Sequence, residues 1–358
     1  MKYILTLIVQ ILVTLSVLGQ KSILIEKFTN IYCGSCPNAH LIIKDYLDQY
    51  PEAIWVNHHK PIDFDVNELV NQHSVVLWED FNVPGVPTAM INRIATGNSV
   101  ARPSSTWGTL IESEKQAEAL TQVEIKDVSY DLDTRTFGFQ VETIFKTLPT
   151  QGDYRISVMM IEDGVYDKQH SYFNDVAGHP LEGRGDIIWD YVHSNVVRTI
   201  IDGGWGTAGV IPQSIELNTT YGKEYTYTVP EAYKAHRFKI VAVVSRYGED
   251  DITNAQVLNA TEVDTRDLDL ILSASEEVES EEMILTLSPN PASDILNVQF
   301  NEIPQFVYII NELGQQVVSL QPKNKSLNLD IDSYKVGGYY LLAEVSGVQY
   351  TETFVISR

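Results

Sequence analysis

The sequence predicts a multidomain protein with an α/β unit first, an antiparallel β-sandwich next and a small C-terminal β-sandwich last. Three observations lead to this prediction. The 358 residues exceed what one core of ordinary size accommodates. The apolar residues follow a helical period after the first strands, and from about residue 120 they alternate with period two. An acidic segment, 264–283, then precedes a last group of alternating segments and is interpreted as a linker.

Residues 1–19 are typical of a secretory signal peptide. Lys2 precedes the apolar run ILTLIVQILVTLSVL, which ends at Gly19, so cleavage is predicted before Gln20 or Lys21. A membrane anchor is the alternative, but the run is short for a spanning helix. We therefore expect an exported protein that has no transmembrane segment after signal cleavage.

The α/β unit is assigned to residues 20–119. KSILIEKF is predicted as a buried strand, and the helical spacing that follows the cysteines predicts a helix. AIWVNHH follows as a second strand. A helix over 65–81, a strand within NVPGVPTAMINR and a last helix over 103–120 complete this unit.

Residues 120–263 and 284–358 are assigned to the two β domains. Alternating segments such as FGFQVETIF and YRISVMM, separated by turn residues, predict an antiparallel sandwich in the first of them. The Gly-rich stretch 164–212 is too long for a passive loop and is interpreted as a surface feature. DILNVQF begins the C-terminal β domain with the same alternation.

The net charge of −23, from 25 basic and 48 acidic residues, argues against a nucleic acid partner. Binding of phosphates requires a basic surface. No cofactor is indicated. Zinc would need two ligands besides the two cysteines, and His58 and His59 are the nearby candidates, which we interpret as solvated side chains at a strand end. We therefore predict no metal site.

The stretch TNIYCGSCPNAH contains the chain's only cysteines, Cys33 and Cys36, where a strand is predicted to turn into a helix. In an oxidising compartment such a pair should form a disulfide. The closed loop is so short that it contributes little to stability, which favours chemistry over a structural staple. A helix N-terminus lowers the pKa of a thiol, so Cys33 is the candidate nucleophile and Cys36 the resolving thiol.

Together with the cysteine motif, FNVPGVPT resembles a loop of the thioredoxin superfamily, and the resemblance covers about residues 22–119. It implies that Val86, Pro87 and Thr88 form a substrate-docking edge facing the cysteines, with a cis bond before Pro87. The family commonly has a buried acid where this chain has Lys27, with Glu26 beside it. These two residues are candidates for tuning the thiols. The direction of electron flow stays open.

Two further resemblances concern the rest of the chain. YRISVMMIEDGVYD, HSNVVRTIIDGGWGT and FKIVAVVSRYGEDDITNAQVLNATEV resemble the twenty-eight-kilodalton outer-membrane-protein-related family of Bacteroidetes, over about 22–265. LSPNPASDILNVQF, VYIINELGQQV and VGGYYLLAEVSGVQYTETFVISR resemble the sorting domain of type IX secretion substrates, over 285–358. The second resemblance implies the type IX machinery as a partner, transport through periplasm and outer membrane, and a secreted or cell-surface protein.

Two functions are consistent with these features. The first is an exported thiol–disulfide oxidoreductase, oxidase-like or isomerase-like, that acts on protein thiols or disulfides through Cys33 and Cys36. The alternative is a cell-surface binding or adhesion protein that uses the thioredoxin-like fold as a scaffold and keeps an inert disulfide. Within HSNVVR, His193 and Arg198 are either a binding site or part of the packing.

Overall fold

In the computed structural model, the described residues are 21–60, 69–268, 285–311, 316–345 and 348–357. The signal peptide and most of the acidic linker lie outside these residues. The chain divides into two compact units, Met1–Ile271 and Leu272–Arg358. Both are described separately below. The protein is mostly β, with few helices and several sheets.

The first unit contains thirteen strands and three α-helices among its described residues. The strands are β1 (Leu24–Thr29), β2 (Ile54–His59), β3 (Thr88–Ile91), β4 (Arg102–Pro103), β5 (Thr121–Asp131), β6 (Thr136–Phe145), β7 (Tyr154–Glu162), β8 (Val165–His170), β9 (Ile187–His193), β10 (Val196–Ile201), β11 (Thr220–Thr228), β12 (Phe238–Arg246) and β13 (Val257–Asp264). The helices are α1 (Cys36–Gln49), α2 (Gln72–Asp80) and α3 (Trp107–Lys115). Short 3-10 helices lie at Ser104–Thr106, Ala235–Arg237, Ile252–Asn254 and Thr265–Leu268.

An eight-stranded mixed sheet forms the centre of this unit, in the order β13-β12-β7-β10-β2-β1-β3-β4. β1 runs parallel to β2 and antiparallel to β3. β10 connects the early and late strands, because it pairs with β2 through Val196 and Asn57 and runs antiparallel to β7. Strands from both sides of residue 120 therefore share one sheet. The domain boundary at residue 120 stays a prediction from the change of periodicity in the sequence.

The alternation of β1 explains how the helices cover this part of the sheet. Successive side chains of a strand point to opposite faces. Ile23 and Ile25 pack with residues of α1 and α3, including Ala39 and Trp107. Leu24 and Phe28 instead pack on the other face with α2 residues such as Leu77. Pro37 lies in the first turn of α1, where a missing N–H is tolerated.

A second sheet, β11-β6-β5, packs against the β7–β12 end of the central sheet. The inward residues of the two layers form an aromatic-rich core, in which Phe137 packs near Phe238 and Phe139 stacks on Tyr225. The predicted alternation in FGFQVETIF corresponds to β6, whose burial alternates along its whole length.

The stretch 164–212 is more structured than the sequence indicated. It contains β10, a strand inside the central sheet, as well as the hairpin of β8 and β9, which forms its own two-stranded sheet. The predicted linker also begins too early. Residues Thr265–Leu268 form a 3-10 helix of the first unit, and the Thr265 hydroxyl donates a hydrogen bond to the Phe238 carbonyl.

The second unit is a small β domain with two sheets, β14-β15-β18 and β17-β16-β19-β20. Its strands are β14 (Leu285–Ser288), β15 (Ile295–Phe300), β16 (Phe306–Asn311), β17 (Gln316–Leu320), β18 (Ser326–Asp330), β19 (Gly337–Val345) and β20 (Val348–Ile356). Leu296, Val298, Val307 and Leu341 belong to its buried core. No helix among the described residues is long and apolar enough to span a membrane.

Candidate functional site

Cys33 and Cys36 form a disulfide, as the sequence predicts, with an S–S distance of 2.04 Å. Cys33 lies in the loop after β1, and Cys36 is the first residue of α1. The Cys36 N–H donates to the Cys33 carbonyl at 3.1 Å. The pair thus lies where the N-terminal end of a helix favours a thiolate. Cys33 is 9% exposed and Cys36 1% exposed.

Lys27 lies directly below this disulfide, on the face of β1 that α1 covers. Its Nζ donates a long hydrogen bond of 3.5 Å to the Cys36 carbonyl and lies 6.0 Å from the centre of the Trp55 ring. Within the described residues it forms no ion pair. Burial lowers the pKa of Lys27 to about 7. The lysine can therefore be charged or neutral near neutral pH, and either stabilise a thiolate or exchange a proton with it.

Three buried histidines lie around the same pocket. Burial is the main cause that lowers the pKa of His40 to about 2 and of His193 to about 3, and it lowers the pKa of His59 as well. The His59 and His193 rings are 5.2 Å apart. His59 Nδ1 and His193 Nε2 have no hydrogen-bond partner within the described part of the chain. The full lining of the pocket is Lys27, Thr29, Cys36, His40, Asn57, His59, Gln169, Tyr191, His193 and Ser194.

The β8–β9 hairpin covers the cysteine loop. The Gln169 amide donates to the Cys33 carbonyl at 3.0 Å, and the Tyr172 N–H donates to the Gly34 carbonyl at 3.0 Å. His179, in the loop between the two strands, contacts α1 through Asn38 at 3.1 Å. This cover accounts for the low exposure of the two cysteines.

Glu26, the other candidate for tuning the thiols, lies on the opposite face of β1. Its carboxylate accepts two hydrogen bonds from Arg93, both of 2.8 Å, and His58 Nε2 lies 3.6 Å away. Burial alone raises the pKa of Glu26, but the charge and hydrogen bonds of Arg93, with a contribution from His58, lower it to about 2. Neither Glu26 nor Arg93 lines the pocket at the disulfide.

The segment Val86–Thr88, predicted as a docking edge, lies at the end of β1 from which the cysteine loop departs. The Val86–Pro87 bond is cis, which confirms that prediction. Thr88 opposes Phe28 in the antiparallel β1–β3 pair, so Pro87 lies beyond Phe28 in the direction of the cysteines. The Thr88 hydroxyl donates to the Gly85 carbonyl at 2.8 Å.

The structure separates the two candidates of HSNVVR. His193 lines the pocket at the disulfide, whereas Arg198 forms a buried ion pair of 2.6 Å with Glu162 and lies 4.0 Å from the Tyr233 ring centre. His58 and His59 are also fully buried and not solvated, because β2 is covered on both faces. In the described residues, no cluster of His, Cys, Asp and Glu has a geometry that could hold a metal ion.

Sequence reasoning missed six residues of the pocket, which are Thr29, His40, Asn57, Gln169, Tyr191 and Ser194. A signal existed for Asn57, because in AIWVNHH it shares one face with Trp55 and His59. Gln169 and Tyr191 reach the pocket through the hairpin, more than 130 residues after the cysteines. No local pattern indicates such a contact.

Comparisons with known proteins place both parts of the chain. The family described as outer membrane protein Omp28 matches residues 76–265, and a secretion system C-terminal sorting domain matches residues 286–357. The first match spans more than half of the chain. No curated protein sequence matches.

Among solved structures, the chain is similar to HBP35 of Porphyromonas gingivalis. The TM-score is 0.53 at 16% identity, and the match covers 94% of this chain and 99% of that one. This likeness concerns the fold alone. A domain of the outer membrane lipoprotein Omp28 from the same organism matches 40% of this chain and 87% of its own, with 19% identity and a TM-score of 0.25.

Proposed function

Because the chain belongs to the Omp28 outer membrane protein family and carries a secretion sorting domain, we propose that it performs thiol–disulfide exchange at the cell surface through Cys33 and Cys36. The family and the sorting domain make it a secreted, cell-surface protein that uses the corresponding secretion machinery. The exchange reaction is the further step, and it concerns protein thiols or disulfides as substrates.

The observation that carries this proposal is the buried Lys27 next to a disulfide at a helix N-terminus. When a substrate thiolate attacks Cys33 Sγ, the Cys33–Cys36 bond breaks and Cys36 leaves as a thiolate. The Lys27 ammonium and the N-terminal end of α1 stabilise that thiolate. A second substrate thiolate then attacks the substrate sulfur of the mixed disulfide and releases Cys33. The substrate is oxidised to a disulfide and the protein is reduced to a dithiol, so electrons balance.

The arrangement of strands around the pair supports a thioredoxin-like interpretation of this region. β1, α1 and β2 form a parallel crossover, β3 runs antiparallel to β1, and the cysteines open α1. The Val86–Pro87–Thr88 segment begins β3 at the cysteine end of β1. In this proposal Val86 and Thr88 dock the substrate chain, and Cys33 is the sulfur that forms the mixed disulfide. In the reverse direction, on a substrate disulfide, the Cys33 thiolate is the nucleophile.

A second candidate function is a surface binding or adhesion protein in which the disulfide is inert. Its specific support is the near-complete burial of Cys36 and the hydrogen bonds that tie Gln169 and Tyr172 to the cysteine loop. The family and sorting-domain matches support a surface protein, and this candidate requires nothing beyond that. The comparisons therefore agree more directly with it than with the exchange function.

The equilibrium redox potential of Cys33–Cys36 separates the two functions. It is measured by thiol trapping of the mature protein in graded redox buffers. An exchange centre should have a potential between about −120 and −270 mV, and a structural disulfide one below about −300 mV. In addition, Cys36→Ser should trap mixed disulfides with substrates, since Cys33 can attack but nothing resolves the product. Cys33→Ser is the matched control and should trap none.

A further inference from the structure

The end of β8 and the residues that follow it donate two backbone hydrogen bonds to the cysteine loop. The N–H of His170 donates to the Ile31 carbonyl at 2.8 Å, and the N–H of Tyr172 donates to the Gly34 carbonyl at 3.0 Å. The two acceptors are three residues apart, so these are two separate backbone hydrogen bonds and not a regular strand ladder. An extended peptide recognised by strand addition needs such free carbonyls. Here the chain's own hairpin already occupies them.

The buried Gln169 side chain also holds the hairpin on the cysteine loop. Its buried amide nitrogen lies within hydrogen-bonding distance of four carbonyls, those of Asn30 at 3.3 Å, Ile31 at 3.1 Å, Cys33 at 3.0 Å and His170 at 3.1 Å. One amide group thus connects β8 with both ends of the turn that carries Cys33. The hairpin is consequently held on the cysteine loop by side-chain as well as backbone contacts.

The Tyr172 ring lies directly on Gly34, the residue between the cysteines that follows Cys33. A Cβ atom added to Gly34 would come within 2.5 Å of Tyr172 Cδ1 and Cε1. The φ of Gly34 is outside the left-handed region, so the backbone does not require glycine there. Glycine is required at this position because the Tyr172 ring occupies the space that a Cβ atom would take. The Gly in Cys-Gly-Ser-Cys is therefore matched to a tyrosine from a distant hairpin, although 73% of that tyrosine is exposed to solvent.

We propose that Tyr172 and Gln169 determine which partners reach Cys33. Under this cover Cys33 is 9% exposed. Small thiols, and extended cysteine-bearing segments that dock on the Val86–Thr88 side instead of on the occupied carbonyls, reach its sulfur, whereas the broad surface of a folded dithiol protein is excluded. This selectivity rests on the proposed exchange function, and it names the substrate class as exposed cysteines in unfolded or extended chains. The cover itself can be tested without assuming that function.

The test compares two reductants acting on the oxidised mature protein. One is dithiothreitol and the other is a reduced thioredoxin, a folded dithiol protein. Tyr172→Ala should increase the rate of reduction by the thioredoxin about tenfold or more and the rate with dithiothreitol by less than about threefold, because access limits the larger partner. Gly34→Ala should have the same effect, since its Cβ displaces the ring. The double variant should add little to either single change, because both act on one contact.

Trp189→Ala is the matched control. Trp189 lies on β9 of the same hairpin and is 72% exposed, but among the described residues no hydrogen bond joins it to the cysteine loop. Its removal should change neither rate. Equal rates in Tyr172→Ala and Trp189→Ala, an equal acceleration with both reductants, or no reduction in any variant would each overturn the proposal. A potential below about −300 mV would reject the exchange function and would make reduction by the thioredoxin, at about −270 mV, unfavourable. The selectivity is then measured in the opposite direction, from the rates at which oxidised thioredoxin and glutathione disulfide oxidise the reduced variants, and equal rates in Tyr172→Ala and Trp189→Ala would again overturn the cover.

Discussion

Glu26 and Lys27 are neighbours on β1, and both are buried, yet their surroundings differ completely. Glu26 is 0% exposed and Lys27 3% exposed. Glu26 shares its face of the sheet with Arg93, which neutralises it through two hydrogen bonds. Lys27 shares the opposite face with histidines and the disulfide, and in the described part of the chain no carboxylate pairs with it. A strand's alternation is enough to separate a paired charge from an unpaired one by a single residue.

The comparison indicates which of the two charges belongs to the architecture. Breaking a buried ion pair leaves one uncompensated charge, so such a pair is retained by the fold itself. An unpaired buried lysine has no such structural reason, and its desolvation is unfavourable for the charged form. Strongly perturbed groups of this kind gather at functional sites. Lys27 is therefore the better indicator of chemistry, although Glu26 has the more elaborate contacts.

The largest expected effect comes from breaking the paired cluster. Arg93→Met should lower the free energy of unfolding by about 3–5 kcal/mol, because it leaves the Glu26 carboxylate buried without its partner. Urea-induced unfolding of the oxidised protein measures this change. If the variant still folds, the redox potential of Cys33–Cys36 should stay unchanged, since Arg93 lies on the other face of β1.

The matched control is Glu26→Gln combined with Arg93→Met, which removes both charges together. Its stability should lie well above that of Arg93→Met alone, because no unpaired charge remains. Equal stabilities of the single and double variants would show that the ion pair itself is not what the fold depends on.

The alternation that distinguishes Glu26 from Lys27 could be predicted from the sequence, and so could much of the fold around it. The strands β1 and β2, the helix that begins at Cys36 and the disulfide all follow from local pattern. β10 could not be predicted as the link between early and late strands. VVRTII could form a strand in any of several sheets, and the pairing of its first residue, Val196, with Asn57 places it beside β2. Such long-range pairing leaves no local signature.

The site was predictable in the same partial way. The cysteines were identified from their motif, and Lys27 and the cis bond before Pro87 from the resemblance to the thioredoxin superfamily. The histidines at the end of β2 were interpreted as solvated, because a strand end normally reaches water. His59 is buried because the β8–β9 hairpin folds over it, with the His193 ring 5.2 Å away. His58 is buried on the other face of β2, where its Nδ1 lies 2.8 Å from the Ser74 hydroxyl of α2. The sequence likewise could not predict that Gly34 must lack a side chain because Tyr172, from a distant hairpin, packs on it.

An intermediate effect should appear in the pH dependence of the Lys27 face. His40 and His193 have folded pKa values of about 2 and about 3, below the ordinary 6.5, mainly because of burial and partly because of Lys27. The unfolded chain therefore binds more protons below pH 6.5, and stability should fall as the pH decreases from 7 to 5. For each histidine that stays neutral in the folded protein, the free energy of unfolding should decrease by about 2 kcal/mol between pH 7 and pH 5.

Urea unfolding at pH 7 and pH 5 measures this loss, and His193→Gln should reduce it by the contribution of one group. Ser194→Ala serves as control, because Ser194 lines the same pocket but does not titrate in this range. The same pH dependence in His193→Gln and in the unsubstituted protein would mean that His193 accepts a proton in the folded state.

The smallest expected effect is the one that decides whether Lys27 acts on the thiols. Lys27→Met removes the buried ammonium and keeps a side chain of similar length, so the dithiol form loses stabilisation of its thiolate. The potential of Cys33–Cys36 should become more negative by about 30 mV, which corresponds to a tenfold change in the redox equilibrium. Lys44→Met, at an exposed lysine of the same helix that begins at Cys36, should leave the potential unchanged. If both variants shift it equally, the general positive charge around α1 matters and the buried position of Lys27 does not. If neither variant shifts the potential, Lys27 does not act on the thiols, and its charge, like that of Glu26, serves only the folded structure.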